Sequence, residues 1–344
     1  MKYSVTIGIP VYNAEKYIGR AIESALAQLF PDFEILVYND GCTDSSITIV
    51  EEYQRSHPRG NNIHIIHCSE NKGVGFARNR IIDEAKGRFL YFMDSDDIIE
   101  PNTIALLMEH QQRVGADIVF GSYDKIETYN DNRVVEVKQY KYKVFEGEDC
   151  FAIFANSCYG MLQSSVCNCC VDLEMLRQSG LRFLNVNFWE DMAFMYELPI
   201  YCKRAVMLPS ITYHYLCRYD SLSNYQQREH ICKDEVLCSI RVADYMKQQC
   251  IKQPNKSYYP SHCYIAVMTS FYIVCHILKN KEIITPPFNN REIREAMRSP
   301  LALNEVLSFR QTLFTNLIFY FLGILPSALS VWLIKIAGKR NGLI

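Results

Sequence analysis

The stretch Gly87-Arg88-Phe89-Leu90-Tyr91-Phe92-Met93-Asp94-Ser95-Asp96-Asp97-Ile98-Ile99-Glu100-Pro101 decides how the chain is read. Its apolar, aromatic-rich first half has the composition of a buried strand, which stops abruptly at Asp94, Asp96 and Asp97, and Pro101 shuts off any continuation. Carboxylates so crowded repel one another, and a divalent cation is the simplest neutralising partner, because hard cations take oxygen ligands and tolerate shared carboxylates. If the backbone stays extended through the tripeptide, Asp94 and Asp96 share a face and Ser95 points away, giving an Asp-x-Asp clamp at the carboxyl end of a strand. A solvated acidic loop with an Asp helix cap has the same local sequence. The rest of the chain must separate the two.

Upstream, residues 3 to 9 read as a first buried strand ending at Pro10, with Asn13 as cap of a helix whose apolar positions Tyr17, Ile18, Ala21, Ile22, Ala25 and Leu26 recur at helical spacing. Phe33 to Tyr38 is a second strand; the turn-rich Asn39-Asp40-Gly41-Cys42-Thr43-Asp44 follows, and then a helix to about Arg55. Ile63 to His67 is a third strand, Asn71-Lys72-Gly73-Val74-Gly75 a loop, and Phe76 to Lys86 a helix. Downstream come a helix capped by Asn102 and a strand at Asp117 to Phe120. Strands alternating with helices at this spacing predict an α/β fold, a parallel sheet covered on both faces, whose ligands sit outside the carboxyl ends of the strands. The polar segments Pro10 to Asn13, Asn39 to Asp44, Asn71 to Gly75 and Asp94 to Asp97 are all expected at those ends.

Beyond Gly121 the rhythm changes. Ile126 to Tyr129 and Val134 to Tyr142 flank Asn130-Asp131-Asn132 as in a hairpin, and helical patterns follow near 148 to 156 and 172 to 179. Asn187-Phe188-Trp189-Glu190-Asp191 then puts two carboxylates at a helix start. They can serve the helix dipole, or one can be a general base whose pKa is raised by the aromatic setting. Tyr213-His214-Tyr215 and Arg218-Tyr219-Asp220-Ser221-Leu222-Ser223 form a polar, aromatic segment in which His214 is either a structural histidine or a third metal ligand.

Composition excludes little. The 344 residues allow two domains or one large domain with an appendage; 49% hydrophobic residues argue for a folded protein, and a formal charge of -2 gives no reason to expect nucleic acid. The 14 cysteines are scattered, and Cys167-Asn168-Cys169-Cys170 lacks the second pair that a zinc site needs, so reduced, buried thiols are expected. The apolar run at the N-terminus is too short for a signal peptide. No Gly-x-Gly-x-x-Gly follows the first strand, and no Walker-type Gly-Lys-Ser/Thr occurs, so a dinucleotide-binding oxidoreductase or P-loop enzyme is not expected. A nucleotidyltransferase would carry a basic, Gly-rich loop where Pro10-Val11-Tyr12-Asn13-Ala14 stands. A non-catalytic binding or membrane-scaffold protein would not need both Asp96 and Asp191.

Taken in order, Ile9-Pro10-Val11-Tyr12-Asn13, Asn39-Asp40-Gly41-Cys42-Thr43-Asp44, Asn71-Lys72-Gly73 with Ala77-Arg78-Asn79, Asp94-Ser95-Asp96-Asp97 and Trp189-Glu190-Asp191 resemble the family 2 glycosyltransferases, inverting enzymes of bacterial surface-polysaccharide synthesis with the GT-A fold. The resemblance implies a Rossmann-like, mostly parallel nucleotide-binding sheet with a C-terminal helical extension. It divides the chain into a catalytic domain at 1–223 (nucleotide-sugar half 1–120, acceptor half 121–223) and a helical region at 224–344. By the same resemblance Asp94 and Asp96 hold Mn²⁺ or Mg²⁺ against the diphosphate of a nucleotide-sugar donor, most simply a UDP-sugar. Asp191 is then the catalytic base, and Glu190 its neighbour in the acceptor site. Pro10, Tyr12, Glu15, Asp40 and Arg78 match positions around the nucleotide, and His214 a C-terminal histidine that can ligate the metal. The acceptor implied is a glycan or lipid-linked saccharide. Two departures stand out: Asn39 and Cys42 replace the usual Asp and Ser of the second turn, which weakens the expected contact with a uracil, and Ile81 stands where Gly is common.

The C-terminal third reads as helical, at about 227 to 250 and 258 to 279. From Gln311 to Ile334 there is no charge, a length that reaches a bilayer's thickness, but Asn316, Gly323, Pro326, Ser327 and Ser330 break it. Two shorter helices within 311–337, lying at a membrane interface with Trp332, Lys335, Lys339 and Arg340 as anchors, fit better than one span; packing onto the protein is the alternative. The expected location is cytoplasmic, at the inner face of the plasma membrane.

Overall fold

The structure is a computed structural model that describes residues 2–128, 131–157, 160, 162–186, 188–218, 229–310 and 312–344. Tyr219 to Ser223, the expected boundary at 223/224, and Tyr129, Asn130, Asn187 and Gln311 lie outside the described residues. The chain forms two compact units, one of Met1–Phe151, Ser165–Asn185 and Glu197–Gln227, the other of Ala152–Ser164, Val186–Tyr196 and Arg228–Ile344. Glu190 and Asp191 therefore belong to the second unit, not to one continuous 1–223 body.

The first unit opens with β1 (Tyr3–Val11), α1 (Ile18–Leu26), β2 (Phe33–Asp40), α2 (Ser46–Ser56), β3 (Ile63–Cys68), α3 (Val74–Glu84) and β4 (Gly87–Phe92). It continues through β5 (Ile98–Ile99), α4 (Thr103–Val114), β6 (Ile118–Glu127), β7 (Arg133–Lys138) and β8 (Lys143–Glu146). In chain order there follow α5 (Cys150–Ala155), β9 (Cys169–Asp172), α6 (Leu173–Ser179), α7 (Glu190–Glu197) and β10 (Arg204–Cys217); most of α5 and of α7 belongs to the second unit, and β9, α6 and β10 to the first. One mixed sheet runs β3-β2-β1-β4-β9-β6-β10-β5, with β7 on β6 and β8 on β10. The parallel arrangement expected from the alternating elements holds across β3-β2-β1-β4 and again between β6 and β10. Elsewhere pairing is antiparallel, so the sheet is mixed, with most of its paired positions in the parallel ladders. Parallel neighbours need a crossover, which α1, α2 and α3 supply; past β6 the left-handed Asp131 and Asn132 (φ 50° and 55°) return the chain directly as a hairpin.

Burial on both sides explains why β1, β2 and β4 are apolar without alternation. β1 passes through Pro10 instead of ending there. β4 has already stopped at Phe92, opposite Gly8, so the missing Pro10 N–H costs no bond on that side. Gly8 also makes room for Ile81: a Cβ there would stand 2.5 Å from the Ile81 Cγ2. The isoleucine on α3 thus packs into a notch in β1. Asn168, buried with φ 63°, knits the far half of the sheet, donating to the Gly121 and Ser122 carbonyls and accepting from the Thr212 hydroxyl. The described cysteines are all free, and Cys167, Cys169 and Cys170 are buried.

The second unit is helical, with α8 (Lys233–Cys250), α9 (Tyr259–Lys279), α10 (Asn290–Ala296), α11 (Leu303–Ser308), α12 (Leu313–Ile324) and α13 (Ser327–Arg340). Among the described residues one helix, α9, is long and apolar enough to cross a membrane, and 72% of its apolar window is buried, packed against α8, α10, α12 and α13. The uncharged run in 311–337 is two helices broken at Leu325-Pro326, neither of span length. Close backbone approach seats α12: a Cβ on Gly323 would lie 2.9 Å from the Arg298 Cα.

Candidate active site

The parallel run β3-β2-β1-β4 brings the segments after its four strands to one edge of the sheet. Hydrogen bonds zip the first two together. Asn13, expected as a helix cap, instead takes φ 46° and accepts from the Thr43 N–H at 2.9 Å; α1 starts five residues later, at Ile18. Ser45 N–H donates to the Glu15 carboxylate at 3.1 Å, and Glu15 N–H to Asp44 at 3.1 Å. Pro10 is buried in β1, and Tyr12 is 51% exposed at its end.

Asp40 fixes the third segment. It is 2% exposed, and its two oxygens accept from the Lys72 and Gly73 N–H groups, each at 2.9 Å. The left-handed Gly41 (φ 73°) beside it allows that approach, since a Cβ would meet the Glu70 carbonyl carbon at 2.6 Å. Asn39 closes its own turn, its side-chain oxygen accepting from Cys42 N–H at 2.8 Å. Asp40 and Asn39 thus shape the rim by tying backbone.

Asp94-Ser95-Asp96-Asp97 is a turn closed by Asp97 N–H on the Asp94 carbonyl at 3.3 Å, so the extended, alternating tripeptide expected from the sequence does not form. An arginine meets each member of the pair. Buried Arg78 from α3 donates to Asp94 Oδ1 at 2.9 Å and lies over the Phe183 ring, 5.5 Å from its centroid. Arg218, just past β10, reaches Asp96 Oδ2 at 2.5 Å and stacks 4.6 Å from the Tyr17 ring centroid. Burial, and then the neighbouring Asp94, push the Asp96 carboxyl above the usual range, against the pull of Arg218. Asp97 points inward. It is 1% exposed, accepts from the Tyr213 hydroxyl at 2.5 Å and Leu216 N–H at 2.8 Å, and burial followed by repulsion from Asp96 and Asp94 drives its pKa well up.

His214, expected as a structural histidine or a third metal ligand, has its hydrogen-bond partners away from Asp94 and Asp96. Its Nδ1 lies 2.7 Å from Asp124 Oδ1 and its Nε2 2.9 Å from Glu100 Oε1, because β10 pairs with β5 on one side and β6 on the other. Burial opposes charge on the ring, but the two carboxylates outweigh it and raise the pKa. Among the described residues no group of three or more His, Cys, Asp or Glu side chains is placed to hold a metal ion.

In the second unit, Glu190 and Asp191 form the first turn of α7, as the sequence predicts, with Glu190 buried. Trp189 immediately before them is left-handed (φ 69°), an uncommon state for a bulky residue, and its carbonyl accepts from Met192 N–H at 3.1 Å. The Phe188 and Trp189 rings are 6.1 Å apart.

Comparison with known proteins bears directly on this arrangement. The family model described as Glycosyl transferase family 2 matches residues 6–164, which hold all four strand-end segments. The chain is 39% identical to the chondroitin synthase of Escherichia coli over 105 residues, 30% of this chain and 15% of that protein. It is 31% identical to the glycosyltransferase GlyG of Streptococcus pneumoniae over 132 residues, 38% of this chain and 43% of that one. The matches thus span less than half the length of either relative. Among solved structures, residues 1–349 of S. aureus TarS in complex with UDP-GlcNAc share the fold, with a TM-score of 0.68 at 17% identity over 98% of this chain and 92% of that one.

Within the family 2 segment lie Pro10, Tyr12, Glu15, Asp40, Arg78, Asp94 and Asp96; Glu190, Asp191 and His214 lie beyond it. Sequence reasoning missed Arg218 and Tyr213 as partners of the acidic turn. In the polar run around His214, the histidine pairs with Glu100 and Asp124, while Tyr213 and Arg218 are the residues that face the acidic turn.

Proposed function

We propose that the chain is an inverting glycosyltransferase that moves a sugar from a nucleoside-diphosphate sugar, read as a UDP-sugar, to a hydroxyl of a glycan or lipid-linked saccharide. The setting is the synthesis of a cell-surface polysaccharide at the inner face of the plasma membrane. The observation that carries this reading is the acidic turn Asp94-Ser95-Asp96-Asp97 at the carboxyl end of β4, inside the family 2 segment and beside the ordered rim of Asp40 and Lys72. Chondroitin synthase among the relatives and UDP-GlcNAc in the TarS fold neighbour support the product class and the donor.

Asp94 and Asp96 suit Mn²⁺ or Mg²⁺: both offer hard oxygen donors, and such ions are held by one or two carboxylates together with substrate phosphates. A divalent cation held there supplies Lewis-acid stabilisation to the departing diphosphate. Arg78 fixes the orientation of Asp94 from a buried position. Pro10, Tyr12, Glu15 and the loop tied by Asp40 line the nucleotide. Asp191 accepts the proton of the acceptor hydroxyl, beside Glu190, and a single displacement inverts the anomeric centre.

The test is a donor panel with a coupled assay for free nucleoside diphosphate, run with Mn²⁺ and with chelator. Cation-dependent release of nucleoside diphosphate from one donor is expected. Release of pyrophosphate instead overturns the reading in favour of nucleotidyl transfer.

A further inference from the structure

The second unit turns an apolar, basic surface outward. On α12, Phe314, Ile318 and Phe321 are 82%, 52% and 46% exposed, at spacings of four and three that put them on one helical face. On α13, Leu329, Trp332 and Ile336 repeat the pattern. The opposite faces are occupied: Phe319 packs on Phe271 of α9 at 5.4 Å between centroids, and Val331, Ile334 and Gly338 are buried where α13 meets α9 and α10. Both helices therefore rest on the same support and present their uncovered faces away from it. Scattered apolar residues need no explanation, but two adjoining stripes of aromatic and branched side chains do.

Charge says what covers them. From Arg310 to the last residue the chain carries Arg310, Lys335, Lys339 and Arg340 and no Asp or Glu. Among the described residues none of the four cations has a carboxylate partner. Large apolar side chains, an interfacial tryptophan and unopposed cations together match an anionic bilayer, where the rings enter the headgroup boundary and the cations meet lipid phosphates.

We propose that the outer face of α12 and α13 docks the protein, without crossing, on an anionic lipid surface. This deepens the membrane part of the reading above and rests on it only in placing the acceptor there. The experiment is sedimentation of the full chain, with no donor or acceptor present, against vesicles of phosphatidylcholine alone and of phosphatidylcholine with phosphatidylglycerol. Binding to the anionic vesicles is expected, with quenching of tryptophan emission by brominated lipid that Trp332→Phe removes. Lys339→Glu with Arg340→Glu should weaken binding by more than tenfold, since each basic side chain near such a surface contributes about fivefold. Phe314→Ser with Phe321→Ser should abolish it. If that pair disturbs folding, seen as a lowered unfolding midpoint, the charge reversal at two exposed positions carries the test alone. A chain that stays in the supernatant with anionic vesicles, or variants that sediment like the parent, overturns the proposal. So does a dimer in solution that Trp332→Ala dissociates, because a second copy then covers the face. Failure leaves the transferase assay, read on nucleoside diphosphate, unaffected.

Discussion

Arg218 holds its guanidinium 2.5 Å from the Asp96 carboxylate, so Asp96, like Asp94 beside Arg78, already has a positive partner. A cation binding at Asp96 must compete with that arginine. Arg218→Ala is therefore expected to tighten the binding of Mn²⁺ alone by about fivefold, the worth of a partly exposed ion pair near 1 kcal/mol. Electron paramagnetic resonance of free Mn²⁺ without nucleotide measures it. Unchanged affinity would show that the cation does not use Asp96.

Removing the proposed proton acceptor should separate binding from turnover. Asp191→Asn is isosteric, and the expected result is unaltered donor affinity by calorimetry with turnover lowered roughly a hundredfold or more, as for a lost general base. Asp96→Ala should do the reverse, abolishing cation-dependent donor binding. An active Asp191→Asn enzyme would remove Asp191 from the role.

Asp40 is expected to matter through the backbone it ties. Asp40→Ala strips the acceptor from Lys72 and Gly73 N–H, and a stability loss of about 2 kcal/mol is expected in urea unfolding. Trypsin should then cut faster after Lys72. Asp40→Asn keeps one accepting oxygen and should lose less. Equal cleavage rates in all three proteins would contradict the tie.

His214 makes stability depend on pH. Its pKa is raised in the fold by Glu100 and Asp124 against the opposing effect of burial, so its contribution is fully present below the unfolded value of about 6.5 and is lost as pH rises through the folded pKa. Glu100 is 44% exposed, which screens its share. Urea midpoints from pH 6 to 9 should fall more steeply for the parent than for His214→Gln. Parallel curves would dismiss the imidazolium.

Much of the fold was legible because it is encoded locally. The strand 87–92, its abrupt acidic end, the alternation of β1 through β4 with their helices, and the break of the apolar run at Pro326 follow from side-chain pattern and backbone chemistry within a few residues. Those features determined the α/β class, the sheet edge that carries the candidate site and the helical C-terminal region. The opening stretch itself shows the limit. Sequence placed Asp94, Asp96 and Asp97 at a strand end, but only the tertiary structure decided that they form a turn, that Asp97 faces Tyr213, and that Asp96 meets an arginine 122 residues further along. The same holds for His214, whose partners Asp124 and Glu100 are chosen by the pairing of β10 with β6 and β5. The physical reason is one of range: strand and helix formation respond to neighbouring residues, whereas the partner of a buried charge is set by sheet register between segments about a hundred residues apart, where burial makes pairing compulsory but does not name the partner.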